Sequence, residues 1–179
     1  KRFVVSGTCL EYGDETDHWT HIPPTASLRP TTPYASSKAA AFMFLHSYAQ
    51  SNSLELFYGR IFNAYGLGQH STNLWPSLYQ NALDGSDFSI TSGNLIRDFI
   101  PVGDVAKHLS IAATRSDIKQ GCPLVVNIGT GVPLSVASFA KQEWSKLNPA
   151  GSLLIQSSTD QLSTKSRYVA NISGLHPSQ

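Results

Sequence analysis

The stretch 31–38, TTPYASSK, and the apolar run behind it leave few folds open to this chain. Pro33 suits the first turn of a helix, where its missing N–H has no helical partner to lose. From Ala39 through Leu45 to Tyr48 and Ala49 the sequence is apolar nearly all round. That is the pattern of a helix packed on a sheet, so burial along its length is expected. Tyr34 and Lys38 stand four apart and so share one face of that helix. An ammonium held near a phenol favours the phenolate, which brings the tyrosine toward proton exchange with an alcohol or ketone. A Tyr-x-x-x-Lys pair alone is a weak motif, and its context decides its meaning.

The context lies upstream. Residues 1–6, KRFVVS, read as a short buried strand, and GTCLEYG (7–13) comes at its C-terminal end. In an open parallel sheet that end is where ligands bind. The Thr8 hydroxyl is therefore placed to meet the same substrate oxygen as Tyr34. The strand, SGTCLEYG and PYASSK, in this order, resemble the Ser/Thr–Tyr–Lys core of the extended short-chain dehydrogenase/reductase family, which includes nucleotide-sugar epimerases, dehydratases and ketoreductases.

That resemblance implies an α/β fold: the second half of a doubly wound, parallel, Rossmann-like sheet with a small α/β substrate lobe. The sheet part is expected at 1–66 and 99–130, and the lobe at 67–98 and 131–179. It implies NAD or NADP as cofactor, with Thr8, Tyr34 and Lys38 catalytic and also facing the cofactor. GRIFNAYG (59–66) resembles the family's turn after the next strand. There Phe62 would offer a backbone group to the nicotinamide, and Asn63 would meet a sugar nucleotide. Asn73 and Leu74 at a helix start, and Ser89 in a short strand (88–90), would hold the nucleotide.

RDFIPVGDVA (97–106) is close to a further family motif and gives Arg97 the diphosphate, because a guanidinium fork can bond two oxygens at once. The competing reading of Arg97 is structural, paired with Asp98 or Glu11. Asp98 itself is read as structural, and Asp104 as the cap of the next helix. Arg167 to Ile172 resemble the start of a last substrate-binding segment. The family's Gly-rich phosphate loop belongs ahead of the first strand seen here, so the chain is expected to be a fragment. GTG at 129–131 lacks a third glycine and comes after the Tyr/Lys helix instead of before it, so it is read as a decoy.

The residues directly after Thr8 narrow the reaction. Dehydratases of the family carry an acid pair in those places, and here Cys9 and Leu10 stand there. Glu11, one residue on, should turn to another side of the chain. A 4-epimerase or 4-ketoreductase acting on a nucleoside-diphosphate sugar is therefore expected. A 4,6-dehydratase is the alternative, and a catalytically silent homologue that only binds is the alternative of another class.

A net charge of +1, with 14% charged residues, offers no basic surface for nucleic acid. No apolar run is long enough to span a membrane, and no signal peptide is visible, so a cytoplasmic location is expected. The resemblance also admits a homodimer. His18 and His21 lie in a proline-rich loop and are not read as a metal site. The two cysteines, Cys9 and Cys122, are read as reduced core residues. Residues 14–33 are expected as a long polar loop over the site mouth, and Ser135 as the cap of a helix to Leu147.

Overall fold

A computed structural model of the chain describes residues 1–156 and 167–177. Three parallel strands form the main sheet: β1 (Arg2–Thr8), β2 (Glu55–Ile61) and β7 (Leu124–Ile128), in the order β1-β2-β7. β1 pairs with β2 from Arg2 opposite Glu55 to Thr8 opposite Ile61, and β2 pairs with β7 from Phe57 opposite Leu124. Helix α1 (Pro33–Ser51) carries the chain from β1 to β2, and α3 (Val102–Thr114) lies on the way from β2 to β7.

Side chains alternate across a strand, so β2 feeds both faces of the sheet. Phe57 joins Ile100, Val105, Ala112 and Val126 in the core on the α3 side. Tyr58 and Arg60 point the other way, against Phe42 of α1. Helices thus cover both faces, as a doubly wound sheet requires.

A second core sits apart. Helices α2 (Leu74–Asp84) and α4 (Val136–Leu147) pack through Leu78, Ala82, Ala140 and Trp144, beside a parallel pair of β4 (Phe88–Ile90) with β9 (Leu153–Ile155). Gly85 ends α2 in the left-handed conformation at φ 67, and the Ser135 hydroxyl caps α4 by accepting from Ser138 N–H. Strand β5 (Ile96–Arg97) pairs with β8 (Leu134–Ser135) and with β10 (Arg167–Tyr168). Of the expected lobe segment 131–179, residues 157–166 and 178–179 lie outside the described ones.

Several expectations need correction. α1 is not buried all round: only Ala35, Ala39 and Ala49 are, while Met43, Phe44 and Tyr48 are exposed. A helix lying on a sheet presents one stripe to it, and an evenly apolar sequence does not say which. Asn63–Tyr65 is a short strand, β3, paired with β6 (Phe99–Pro101), and not a turn. Asp104 does not cap α3. Pro101 holds that position and Asp104 lies in the first turn.

The expected loop from residue 14 begins as 3-10 helix, Cys9–His18, kinked at Gly13. Its remainder is pinned, since Ile22 is buried and exchanges backbone hydrogen bonds with Val169 and Asn171. Cys9 is buried and free, but Cys122 is exposed, because it lies in a turn ahead of β7. No helix of the described residues is long and apolar enough to cross a membrane.

Candidate active site

β1 ends at Thr8, which caps the 3-10 helix: its hydroxyl accepts from Leu10 N–H at 3.3 Å. In return the Glu11 carboxylate accepts from Thr8 N–H at 2.8 Å, a reciprocal cap that fixes the strand end. The Lys38 ammonium donates to the Ser6 carbonyl at 3.4 Å, which brings α1's first turns beside the last residues of β1. Tyr34, one helical turn before Lys38, is 55% exposed. Thr8 is nearly buried.

Beneath this surface lies a polar cluster that sequence reasoning missed. Glu11 is fully buried and pairs with Arg60 (Nε to Oε2 2.7 Å), itself 1% exposed. Tyr58 O–H donates to Glu11 at 2.9 Å. Arg60 also donates to Tyr12 Oη and to the Pro24 carbonyl, and Tyr12 O–H donates to Asn127 Oδ1 at 2.6 Å. Burial pushes the Tyr12 phenol up to about 12 and raises that of Tyr58, with the Glu11 charge adding to the latter, so both are neutral donors. One signal was available: Arg60 interrupts the apolar run of a strand expected in a parallel sheet, and a guanidinium there needs an acid partner.

The residues expected to meet a nucleotide come together elsewhere, in part. Asn63, Asn73, Leu74 and Arg97 line one open cavity of about 330 Å³, along with Tyr65 and Trp75. Asn63 Oδ1 is itself buried away from the open space, without a hydrogen-bond partner among the described residues. Arg97 donates to the Ile96 carbonyl at 2.8 Å and lies over the Tyr168 ring; burial lowers its pKa from the ordinary value. Ser89 lines an adjoining hollow that shares Leu74 and Val136 with the first. Trp75 also borders a second hollow of about 410 Å³, is stacked on Tyr79 and donates to Glu143 at 3.0 Å.

Phe62 is a core residue, packed with Cys9, Tyr12 and Ile22. Its N–H donates to Ile128 O, and its carbonyl accepts from Ala64 N–H. The two acids offered as structural partners of Arg97 are engaged elsewhere: Glu11 with Arg60, and Asp98 with the turn at 129–131. There Asp98 accepts from Thr130 N–H, Thr130 Oγ1 and Gly131 N–H, and also from Ala170 N–H. Gly129 is needed for that approach, since a Cβ would stand 2.6 Å from the Asp98 carboxylate. Cys9, where the family's acid would stand, is buried, and desolvation pushes its thiol up to about 12.

The model of the NAD dependent epimerase/dehydratase family matches residues 1–129. Low-salt glycan biosynthesis protein Agl12 of Haloferax volcanii is 32% identical over 136 residues, 75% of this chain and 42% of that protein. Human dTDP-D-glucose 4,6-dehydratase is 31% identical over 144 residues, 79% of this chain and 39% of that enzyme. The chain therefore spans less than half the length of these relatives. In fold it is similar to a UDP-N-acetylglucosamine 4-epimerase from Methanobrevibacter ruminantium solved with UDP-N-acetylmuramic acid, with TM-score 0.83 and 22% identity over 98% of this chain and 55% of the other.

Proposed function

Because the chain belongs to the NAD-dependent epimerase/dehydratase family, we propose that it forms part of a nucleotide-sugar 4-epimerase or 4-ketoreductase. The observation that carries this reading is the cavity: Arg97 and Asn63 line one hollow together with Asn73 and Leu74. A diphosphate suits the Arg97 guanidinium. In this reading Asn73, Leu74 and Ser89 hold the nucleoside, residues 67–98 and 131–179 form the substrate lobe, and 1–66 with 99–130 the nucleotide part.

The reading puts the reacting part of a nicotinamide cofactor at the end of β1, supported by the contact of Lys38 with Ser6 and by Tyr34 one helical turn before Lys38. The bound nicotinamide supplies acceptance and return of hydride. Tyr34, reachable from solvent, takes the proton of the sugar 4-hydroxyl and returns it in the reverse direction. Lys38 holds the cofactor ribose, Thr8 orients the sugar oxygen, and Phe62 lies by backbone position near the nicotinamide. The diphosphate of the cofactor is offered less: the amides of Thr130 and Gly131 are already taken by Asp98.

Three facts weigh against a 4,6-dehydratase. Cys9 is a buried thiol raised to about 12, Leu10 has no proton to give, and Glu11 is sealed in an ion pair. A cytoplasmic location and a homodimer belong to the same reading, the dimer supported by exposed Met43, Phe44 and Tyr48 on α1. Incubating the intact protein with UDP- and dTDP-hexoses tests the reaction. Interconversion at C4, or reduction of a 4-keto sugar, is expected. A 4-keto-6-deoxy product overturns the reading in favour of dehydration, and binding without turnover overturns it in favour of the silent homologue.

A further inference from the structure

We propose that Glu11 is a positioning residue. Buried against Arg60, it fixes the strand end that bears Thr8 relative to the helix turn that bears Lys38. The inference rests on the catalytic reading of Thr8 and Lys38 given above.

Two residues of β1 on either side of Gly7 are held by different partners. The Ser6 carbonyl receives the Lys38 ammonium. Thr8 N–H donates to Glu11. Between them Gly7 lets the cluster lie directly against the backbone: a Cβ there would stand 2.3 Å from Tyr58 Cε1 and 2.5 Å from Glu11 Oε1. No side chain other than hydrogen fits, so the glycine of SGTCLEYG is explained by the glutamate four residues later.

The Glu11 carboxylate collects three donors from three places: Thr8 N–H on β1, Tyr58 O–H on β2 and Arg60 Nε further along β2. The Tyr58 hydroxyl in turn lies 3.3 Å from the Lys38 carbonyl on α1. The phenol has one proton, which goes to Glu11 at the shorter distance, so Tyr58 meets the helix by contact with the Lys38 carbonyl and the Phe42 ring. On the far side the Arg60 guanidinium lies 4.3 Å from the centre of the Phe42 ring, one turn further along the same helix. Strand end, central strand and helix are referred to one buried charge.

A buried ion pair is poor evidence of stability in itself, since desolvation opposes the Coulombic gain and an apolar pair of equal volume often does as well. What the pair provides here is geometry. The carboxylate accepts along fixed directions, and the planar guanidinium holds it in register. Misplacement of a reacting group by about 1 Å can cost roughly 100-fold in rate, so a fixture at this point acts on turnover more than on binding. The cavity of Arg97 and Asn63 shares no lining residue with the cluster, so substrate affinity should be indifferent to it.

The test uses Glu11→Gln and Tyr58→Phe in the intact protein, with Tyr34→Phe beside them. Glu11→Gln and Tyr58→Phe are each expected to lower kcat about 10- to 100-fold. KM for the nucleotide sugar should stay within about two-fold. Glu11→Gln should also speed hydrogen exchange of the Thr8 amide about ten-fold or more. If both variants melt lower but keep kcat at a temperature where they are folded, Glu11 is merely structural and the proposal is overturned. If Glu11→Gln does not fold, Tyr58→Phe decides by the same comparison of kcat with KM, because it leaves the ion pair in place. Turnover by Tyr34→Phe would instead sink the catalytic reading, and unchanged Thr8 exchange would overturn the placement of Thr8 by Glu11 whatever turnover shows.

Discussion

Asp98 holds Gly131: the carboxylate accepts the Gly131 N–H at 2.8 Å and fills the concavity of the 129–131 turn. The same side chain takes Thr130 N–H at 2.7 Å and Ala170 N–H at 3.1 Å, joining the end of β7 to the chain just beyond β10. Asp98→Ala leaves the buried Ala170 N–H and the half-buried donors of Thr130 and Gly131 without their acceptor. Urea denaturation should show a loss of about 3 kcal/mol or more, since each unsatisfied group costs roughly 1–3 kcal/mol. A loss below about 1 kcal/mol would mean that water replaces the carboxylate.

Tyr34 is a different case, because its ring is more than half exposed and little packing depends on it. Tyr34→Phe should leave the melting temperature unchanged and lower turnover about 100-fold or more. Stopped or steady-state assays of the intact protein measure this, and near-normal turnover would take Tyr34 out of the chemistry.

The cavity makes a joint prediction. Asn63 Oδ1 has no partner among the described residues, so Asn63→Leu removes no internal bond of that oxygen and should not lower stability. Arg97→Lys replaces a fork with a point charge. Both should weaken a nucleotide sugar by about 1–3 kcal/mol in titration calorimetry. A lower melting temperature with unchanged affinity would make both residues structural.

A pH dependence arises from His108, which lies against His176. Burial lowers its pKa below the ordinary 6.5, the His176 charge adds to this and Lys107 more weakly, while Asp104 opposes. The unfolded chain therefore binds the proton more readily than the folded one, and stability rises with pH. The contribution is complete above about 6.5 and is lost as pH falls below it. Urea midpoints should drop between about pH 7.5 and 5.5, and His108→Gln should flatten that drop. An unflattened curve would assign the acid sensitivity to other groups.

How much of this could be read from residues alone depended on the range of the signal. Pro33, Gly85 and Ser135 act on their own neighbours, so the starts of α1 and α4 and the stop of α2 were visible. The decoy at Gly129 was visible too, from its wrong order and its missing glycine. What occupies its amides was not, because Asp98 lies 32 and 33 residues away in sequence. Glu11 and Arg60 stand 49 apart with no periodicity to link them, so their pairing was not legible, and Arg97 stood as the partner on offer for Glu11 instead. α1 misled for the opposite reason: its apolar residues surround the helix, and only packing selects the stripe that is buried.

Trp75 gives the cavity an optical consequence. Its indole forms wall for the Arg97 cavity and for the neighbouring hollow, and is held by Tyr79 and Glu143. The other two tryptophans are placed otherwise: Trp144 is sealed in the lobe core, and Trp19 is exposed beyond the 3-10 helix. An occupant of the cavity displaces water from one indole face while leaving the other two emitters in their surroundings. The chain thus carries a built-in fluorophore at that cavity's wall, and the emission lost on changing Trp75 to Phe separates its signal from theirs without any attached dye.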